Sequence, residues 1–147
     1  MKIRGTVLLV IALGSVSALM YTHTVRAADK TSVKASIGEG APGFELKDTF
    51  GNEIELFDFK GKIVVLEWLN RNCPASKGCH KKMVMQSTYR KYASKGVVWL
   101  GIDTTRGTDP ESNRVYAAEQ GLAYPILHDK DGKVGRAYGA ATTPHMF

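Results

Sequence analysis

The elements read along this chain run β-β-α-β-α-β-α, an order that predicts an α/β fold with a mixed central sheet flanked by helices. Three observations carry that prediction. Segments 63–69 (IVVLEWL) and 97–103 (VVWLGID) are nearly continuous apolar runs rich in β-branched residues, the pattern of strands buried on both faces. The stretches that follow them place apolar residues at helical spacing. Upstream, segment 53–57 alternates polar and apolar residues, as a half-buried strand does.

Taken in order, the chain opens with Lys2 and Arg4, an uncharged apolar run over 6–20, and the small residues Val25 and Ala27 around Arg26. That is the anatomy of a secretory signal peptide over 1–27. The apolar run is short for a bilayer, which needs about 20 residues, so membrane attachment is expected only if the leader stays uncleaved. The folded part is expected to be exported, in a periplasmic or other extracytoplasmic compartment. Residues 28–37 read as a flexible lead-in, and 38–147 as one domain, because the length suits one domain better than two.

Within that domain, 45–50 alternates weakly, Gly51-Asn52 marks a turn, and Lys60-Gly61-Lys62 breaks the chain before the first central strand. The polar stretch 70–78 reads as a loop, and a helix is expected from near Cys79 to Ala93, stopped by Lys95-Gly96. After the second central strand, Asp109 is set to cap a helix with Pro110 in its first position and Gly121 past its end near Gln120. A short strand over 124–128, a turn over 129–132 and one or two helical turns over 133–138 follow. Residues 142–147 start an extended segment that breaks off at Phe147, so the last strands and a terminal helix are expected to be missing.

Charge excludes one partner class. The formal net charge is +6, but the leader holds Lys2, Arg4 and Arg26 and no acid, leaving 17 basic against 14 acidic residues. With no block of like charges, a nucleic-acid partner has no support. Lys77, His80, Lys81 and Lys82 read as a solvated helix face.

Chemistry concentrates at Cys73. It follows a central strand and precedes a helix, at the carboxyl edge where open α/β sheets place their sites. The free N–H groups of a helix start carry partial positive charge, which lowers a thiol pKa and favours the reactive thiolate. Glu67 is the one charge in segment 63–69. Burial favours the neutral form of a carboxyl, so such a group can exchange protons near neutral pH. Trp68, Trp99 and the tyrosines read as core. Cys73 and Cys79 are the two cysteines of the chain, six residues apart. In a continuous helix six steps separate them by about 9 Å and about 240°, beyond the ~7 Å that a disulfide spans. A loop over 73–78 with the helix starting near Cys79 would permit the bond, and Pro74 and Gly78, poor in helix interiors, fit such a loop; a local unfolding step would also bring the two together.

Several segments together resemble the thioredoxin superfamily, and more narrowly its exported redoxin branch with the alkyl hydroperoxide reductase/thiol-specific antioxidant (AhpC/TSA) group. The opening Gly40-Ala-Pro-Gly-Phe44, Leu46, Asp48, Gly51, Leu56, Phe59 and Gly61-Lys62 is the first match, Val64 to Trp68 leading to Cys73-Pro74 the second, and Thr143-Pro144 the third. The resemblance implies a thioredoxin-like fold and thiol-dependent redox or antioxidant activity without a cofactor. It implies a proton-handling role for Glu67, a cis-proline at Pro144, and substrate pairing through the Thr143 backbone. The partners implied are a protein disulfide or a peroxide as substrate and an external thiol as reductant. Two departures stand out. Ser76 occupies the fourth position of the usual Cys-x-x-Cys, leaving Cys79 or an external thiol to resolve Cys73. Ser76 also stands three before Cys79, as peroxiredoxins require of their peroxidatic cysteine, but Asn72 stands where they place Pro.

Two further readings stay open on the sequence. One is a copper-binding chaperone using Cys73, Cys79 and His80 or His145, with Met83 and Met85 nearby, since soft sulfur donors suit Cu(I). The other is a non-catalytic thioredoxin-like module stapled by a fixed Cys73–Cys79 disulfide.

Overall fold

A computed structural model describes residues 34–147; the leader expected over 1–27, and most of the lead-in, lie outside them. Six strands form one mixed sheet: β1 (Glu45–Asp48), β2 (Glu53–Glu55), β3 (Val64–Trp68), β4 (Val98–Asp103), β5 (Ile126–His128) and β6 (His145–Met146). Their order across the sheet is β2-β1-β5-β4-β3-β6. β3, β4 and β5 run parallel, while β1 on β5, β2 on β1 and β6 on β3 are antiparallel. The helices are α1 (Pro74–Lys81), α2 (Val84–Ala93), α3 (Pro110–Gln120) and α4 (Lys133–Tyr138). This is the mixed sheet flanked by helices that the sequence predicts.

Alternation along the two central strands divides the core into two layers, because successive side chains point to opposite faces. Leu66 and Trp68 of β3 with Leu100 and Ile102 of β4 pack on Phe44, Leu127, Val134 and Tyr138, beneath α4. On the opposite face Leu69 packs with Tyr116 and Ile126, and Trp99 packs with Met85 and Tyr124. Glu67 lies on that second face, fully buried. Gly101 of β4 faces the same layer, where a Cβ would come within 2.9 Å of Leu69 Cδ2. Among the described residues no helix is long and apolar enough to cross a membrane.

α3 follows its sequence signals closely. The Asp109 carboxylate accepts from Ser112 N–H, Pro110 sits in the first turn, and Gly121 ends the helix at φ 64°. Two elements differ from expectation. Segment 53–57 is a strand only to Glu55, and Leu56–Phe59 forms a 3-10 turn. The helix expected from Cys79 is two helices. α1 begins at Pro74, immediately after Cys73, and runs through Gly78 and Cys79. Pro74 does not break it, because the first helical position has no N–H to satisfy and already needs the φ that proline fixes. The break comes at Met83, in the left-handed region at φ 58°. There the His80 carbonyl is taken by Met83 N–H and by Gln86 Nε2, which ends α1 and lets α2 start at a new angle.

Candidate active site

Cys73 is the N-cap residue of α1, with extended backbone and no capping bond from its side chain. The strand β3 delivers the chain to the carboxyl edge, residues 70–73 turn back on an Asn70 carbonyl to Cys73 N–H bond, and α1 leaves from there. Across from it the segment before β6 brings in Thr143, whose peptide bond to Pro144 is cis. The Cys73 thiol donates to the Thr143 carbonyl at 3.1 Å. The Thr143 side chain, then the backbone N–H of Ser76, and more weakly that of Ala75 and the Ser76 hydroxyl, hold the thiol below its ordinary value against a smaller opposing effect of burial. These are the contacts expected of a thiolate at a helix start, where unpaired N–H groups point outward. Thr143 thus serves both states: its carbonyl accepts from the thiol and its side chain favours the thiolate.

Ser76, at the position where Cys-x-x-Cys motifs hold their second cysteine, is fully buried and its hydroxyl accepts from Asn70 N–H at 3.4 Å. It fixes the turn that carries Cys73. Cys79 lies inside α1, partly buried against the Met85, Trp99 and Tyr124 cluster. Both cysteines are free. The loop over 73–78 that would have let them bond is absent, so the geometry is that of the continuous helix, about 9 Å of rise and about 240° of rotation. The fixed staple has no place in this fold.

Glu67 sits at the centre of a buried polar cluster. Its Oε1 lies 2.8 Å from His80 Nε2, and its Oε2 accepts from Trp99 Nε1 at 3.0 Å and from the Tyr124 hydroxyl at 2.7 Å. His80 Nδ1 lies 2.7 Å from the Tyr116 hydroxyl. Burial, then the charge of Glu67, push the Tyr124 hydroxyl up. Burial, then the charges of Glu67 and of Cys73, push Tyr116 up to about 12. Tyr116 therefore feels both the buried carboxylate and the Cys73 sulfur.

The solvated face expected for His80 is a correction. Lys77, Lys81 and Lys82 are exposed, but His80 has no exposure at all, because the helix turns it inward onto β3. Both of its ring nitrogens are engaged, and His145 Nδ1 accepts from Ala141 N–H beyond Thr143. Among the described residues no three His, Cys, Asp or Glu side chains are placed to hold a metal, so Cys73, Cys79, His80 and His145 do not converge as copper ligands. Sequence reading placed Trp99, Tyr116 and Tyr124 in the core without their polar roles. Only one signal pointed to them: a carboxylate in an apolar strand must find partners.

Known proteins show the same architecture. The thiol-disulfide oxidoreductase ResA of Bacillus thuringiensis subsp. konkukian is 36% identical over 115 residues, 78% of this chain and 64% of that protein. The chain therefore spans less than two thirds of that relative's length. Chloroplastic peroxiredoxin Q of Gentiana triflora is 34% identical over 75% of this chain and 50% of its own. The thioredoxin domain of a thiol-disulfide oxidoreductase from Bacteroides vulgatus superposes with a TM-score of 0.64 and 25% identity, covering 77% of this chain and 80% of that one. The AhpC/TSA family model matches residues 37–147. With a matched segment that takes in every strand and helix of the sheet and the Cys73 turn itself, this chain belongs to the AhpC/TSA family.

Proposed function

We propose that this protein is a thiol-dependent oxidoreductase that exchanges disulfides through Cys73. One observation carries the reading: Cys73 stands at the N-cap of α1 with its sulfur 3.1 Å from the Thr143 carbonyl, and its thiol is held below the ordinary value. The thiolate attacks one sulfur of a substrate disulfide, a mixed disulfide forms, and the second sulfur leaves with the electron pair. The Thr143 backbone beside Pro144 positions the substrate strand, and Glu67 takes up and returns the proton. Because Cys79 is locked in α1 far from Cys73, an external thiol releases the mixed disulfide. The ResA and peroxiredoxin Q relatives support disulfide and peroxide respectively as the substrate class. Disulfide is favoured here by the accessible Thr143 edge. Reading 1–27 as a secretory leader supports a 38–147 domain outside the cytoplasm, where protein disulfides persist.

The experiment is alkylation by iodoacetamide across pH on the reduced protein, with Cys73→Ser and Cys79→Ser alongside, and turnover of a protein disulfide under an external thiol. A fast-reacting thiol of lowered pKa that disappears only in Cys73→Ser is expected, with turnover retained in Cys79→Ser. Ordinary reactivity at both cysteines would remove the reading. Peroxide consumption in place of disulfide turnover would assign the same thiol to the other substrate class.

A further inference from the structure

We propose that Tyr116 and His80 form a proton line joining the cavity beside the Cys73 turn to the buried carboxyl of Glu67. The inference rests on the redox reading of Cys73 and adds two residues to it. Neither touches the substrate; both act through Glu67.

The geometry supplies a continuous path. A cavity of about 280 Å³ is lined by Arg71 and Asn72, which immediately precede Cys73, by Lys77 of α1, and by Ser112, Tyr116 and Glu119 of α3. It is polar and large enough to hold water. From the Tyr116 hydroxyl the line runs 2.7 Å to His80 Nδ1, and from His80 Nε2 it runs 2.8 Å to Glu67 Oε1. The groups that face this line come from every packed element. They are Trp99 of β4 and Tyr124 ahead of β5 on Glu67 Oε2, Gln86 of α2 on the His80 carbonyl, Cys73 at the start of α1, whose charge reaches Tyr116, and Arg71, Lys77 and Glu119 around the cavity that Tyr116 lines.

Imidazole is the one side chain whose two nitrogens exchange donor and acceptor roles without moving. In one arrangement Nε2–H donates to an ionised Glu67 and Nδ1 accepts from the Tyr116 hydroxyl. In the other, Tyr116 has passed its proton to Nδ1 and taken one from cavity water, and Nε2 has passed its proton to Glu67. Every buried group is bonded in both arrangements, and the net change is one proton taken from the cavity and stored on Glu67.

The redox step then balances. The Cys73 thiol gives its proton to cavity water and the line carries one to Glu67. The thiolate attacks the substrate disulfide, the new S–S bond forms, and the old one breaks. The proton returns along the line to the departing thiolate. A departing alkyl thiolate, whose conjugate acid has a pKa of about 8.5, needs that proton near neutral pH, whereas an aromatic thiolate leaves without one.

The test compares Tyr116→Phe with the unaltered protein in three reactions near neutral pH: alkylation by iodoacetamide, reduction of dithionitrobenzoate, and reduction of bis(hydroxyethyl) disulfide. The expected result is a loss of about tenfold or more with the alkyl disulfide, the scale of general acid catalysis, and little change in the other two. Glu67→Gln should show the same selective loss, and adding Tyr116→Phe to it should cost nothing further. An equal fall in all three reactions would make Tyr116 structural and overturn the proposal, as would unchanged rates with the alkyl disulfide. If the unaltered protein alkylates at Cys73 yet reduces neither disulfide, the redox reading itself fails. That outcome is distinct, because it does not involve Tyr116.

Discussion

Replacing Glu67 by Ala and by Gln should give two very different proteins, and the difference can be worked from the cluster. Glu67 is fully buried and holds three donors: His80 Nε2, Trp99 Nε1 and the Tyr124 hydroxyl. Alanine removes the acceptor for all three. Each buried donor left unpaired costs about 1–3 kcal/mol, so the loss is roughly 3–9 kcal/mol before any cavity is counted. A domain of this kind is stable by about 5–15 kcal/mol in total. Glutamine keeps one oxygen for Trp99 and Tyr124 and offers an N–H to His80, whose ring proton moves to Nδ1 and donates to Tyr116. All bonds survive in neutral form, at about half the strength of charge-assisted ones, and most of that loss is offset because a neutral amide is cheaper to bury than a carboxylate, for a net loss of about 1 kcal/mol. With a urea m-value of about 2 kcal/mol/M, Glu67→Ala lowers the midpoint by at least about 1.5 M and Glu67→Gln by about 0.5 M. Urea denaturation followed by tryptophan fluorescence reads both. Glu67→Ala within about 1 kcal/mol of the unaltered protein, or Glu67→Gln as costly as alanine, would refute the hydrogen-bond accounting.

Further outcomes follow from the same contacts. Thr143→Val keeps the carbonyl beside Cys73 and removes the hydroxyl that favours the thiolate; the midpoint of iodoacetamide alkylation against pH should rise toward that of an ordinary thiol, and an unchanged midpoint would remove Thr143 from the tuning of Cys73. Oxidation with glutathione disulfide should leave a stable adduct on Cys73 by mass spectrometry, because Cys79 is held in α1 and cannot displace it; an internal Cys73–Cys79 disulfide formed without unfolding would contradict the helix. Tyr116 and Tyr138 are pushed up to about 12, so both stay protonated in the fold while an unfolded chain ionises near its ordinary 10. Their contribution to stability is full below pH 10 and is lost as pH rises toward 12, and phenolate absorbance should show late, cooperative titration that coincides with unfolding. Gly101→Ala places a methyl 2.9 Å from Leu69 Cδ2 and should cost about 1–3 kcal/mol, read as a lowered thermal midpoint.

The parts of the fold that were legible are those whose residues declare their surroundings locally. β3 and β4 announce themselves as strands buried on both faces, and α3 carries its cap, its proline and its terminal glycine in sequence. α1 was hidden because Pro74 and Gly78 both read as helix breakers, and only the context of Cys73 as N-cap turns Pro74 into a helix starter. The break at Met83 has no glycine or proline to mark it; it arises where His80 is pulled inward. At the site, Cys73, Thr143 and Glu67 could be singled out by position and by charge in an apolar run. The partners of Glu67 could not, because His80 lies 13 residues away, Trp99 32 and Tyr124 57. Buried polar matching over such separations is decided by the packing of α1 and α3 on the sheet.

That packing also accounts for the separation of Cys73 from any second thiol. A second cysteine at position 76 would put its sulfur where the buried Ser76 hydroxyl now meets Asn70 N–H and the Cys73 sulfur. Serine there stabilises the turn and the thiolate together, at the loss of an internal resolving thiol. Cys79 cannot take over that task, since the residue next to it, His80, is fixed to β3 through Glu67 and to α3 through Tyr116. Freeing Cys79 to reach Cys73 would unwind α1 and strip both partners from His80. The cluster through which we propose that Glu67 exchanges a proton is thus the same one that denies Cys73 an internal partner, and the two properties should be lost together in any variant that melts α1.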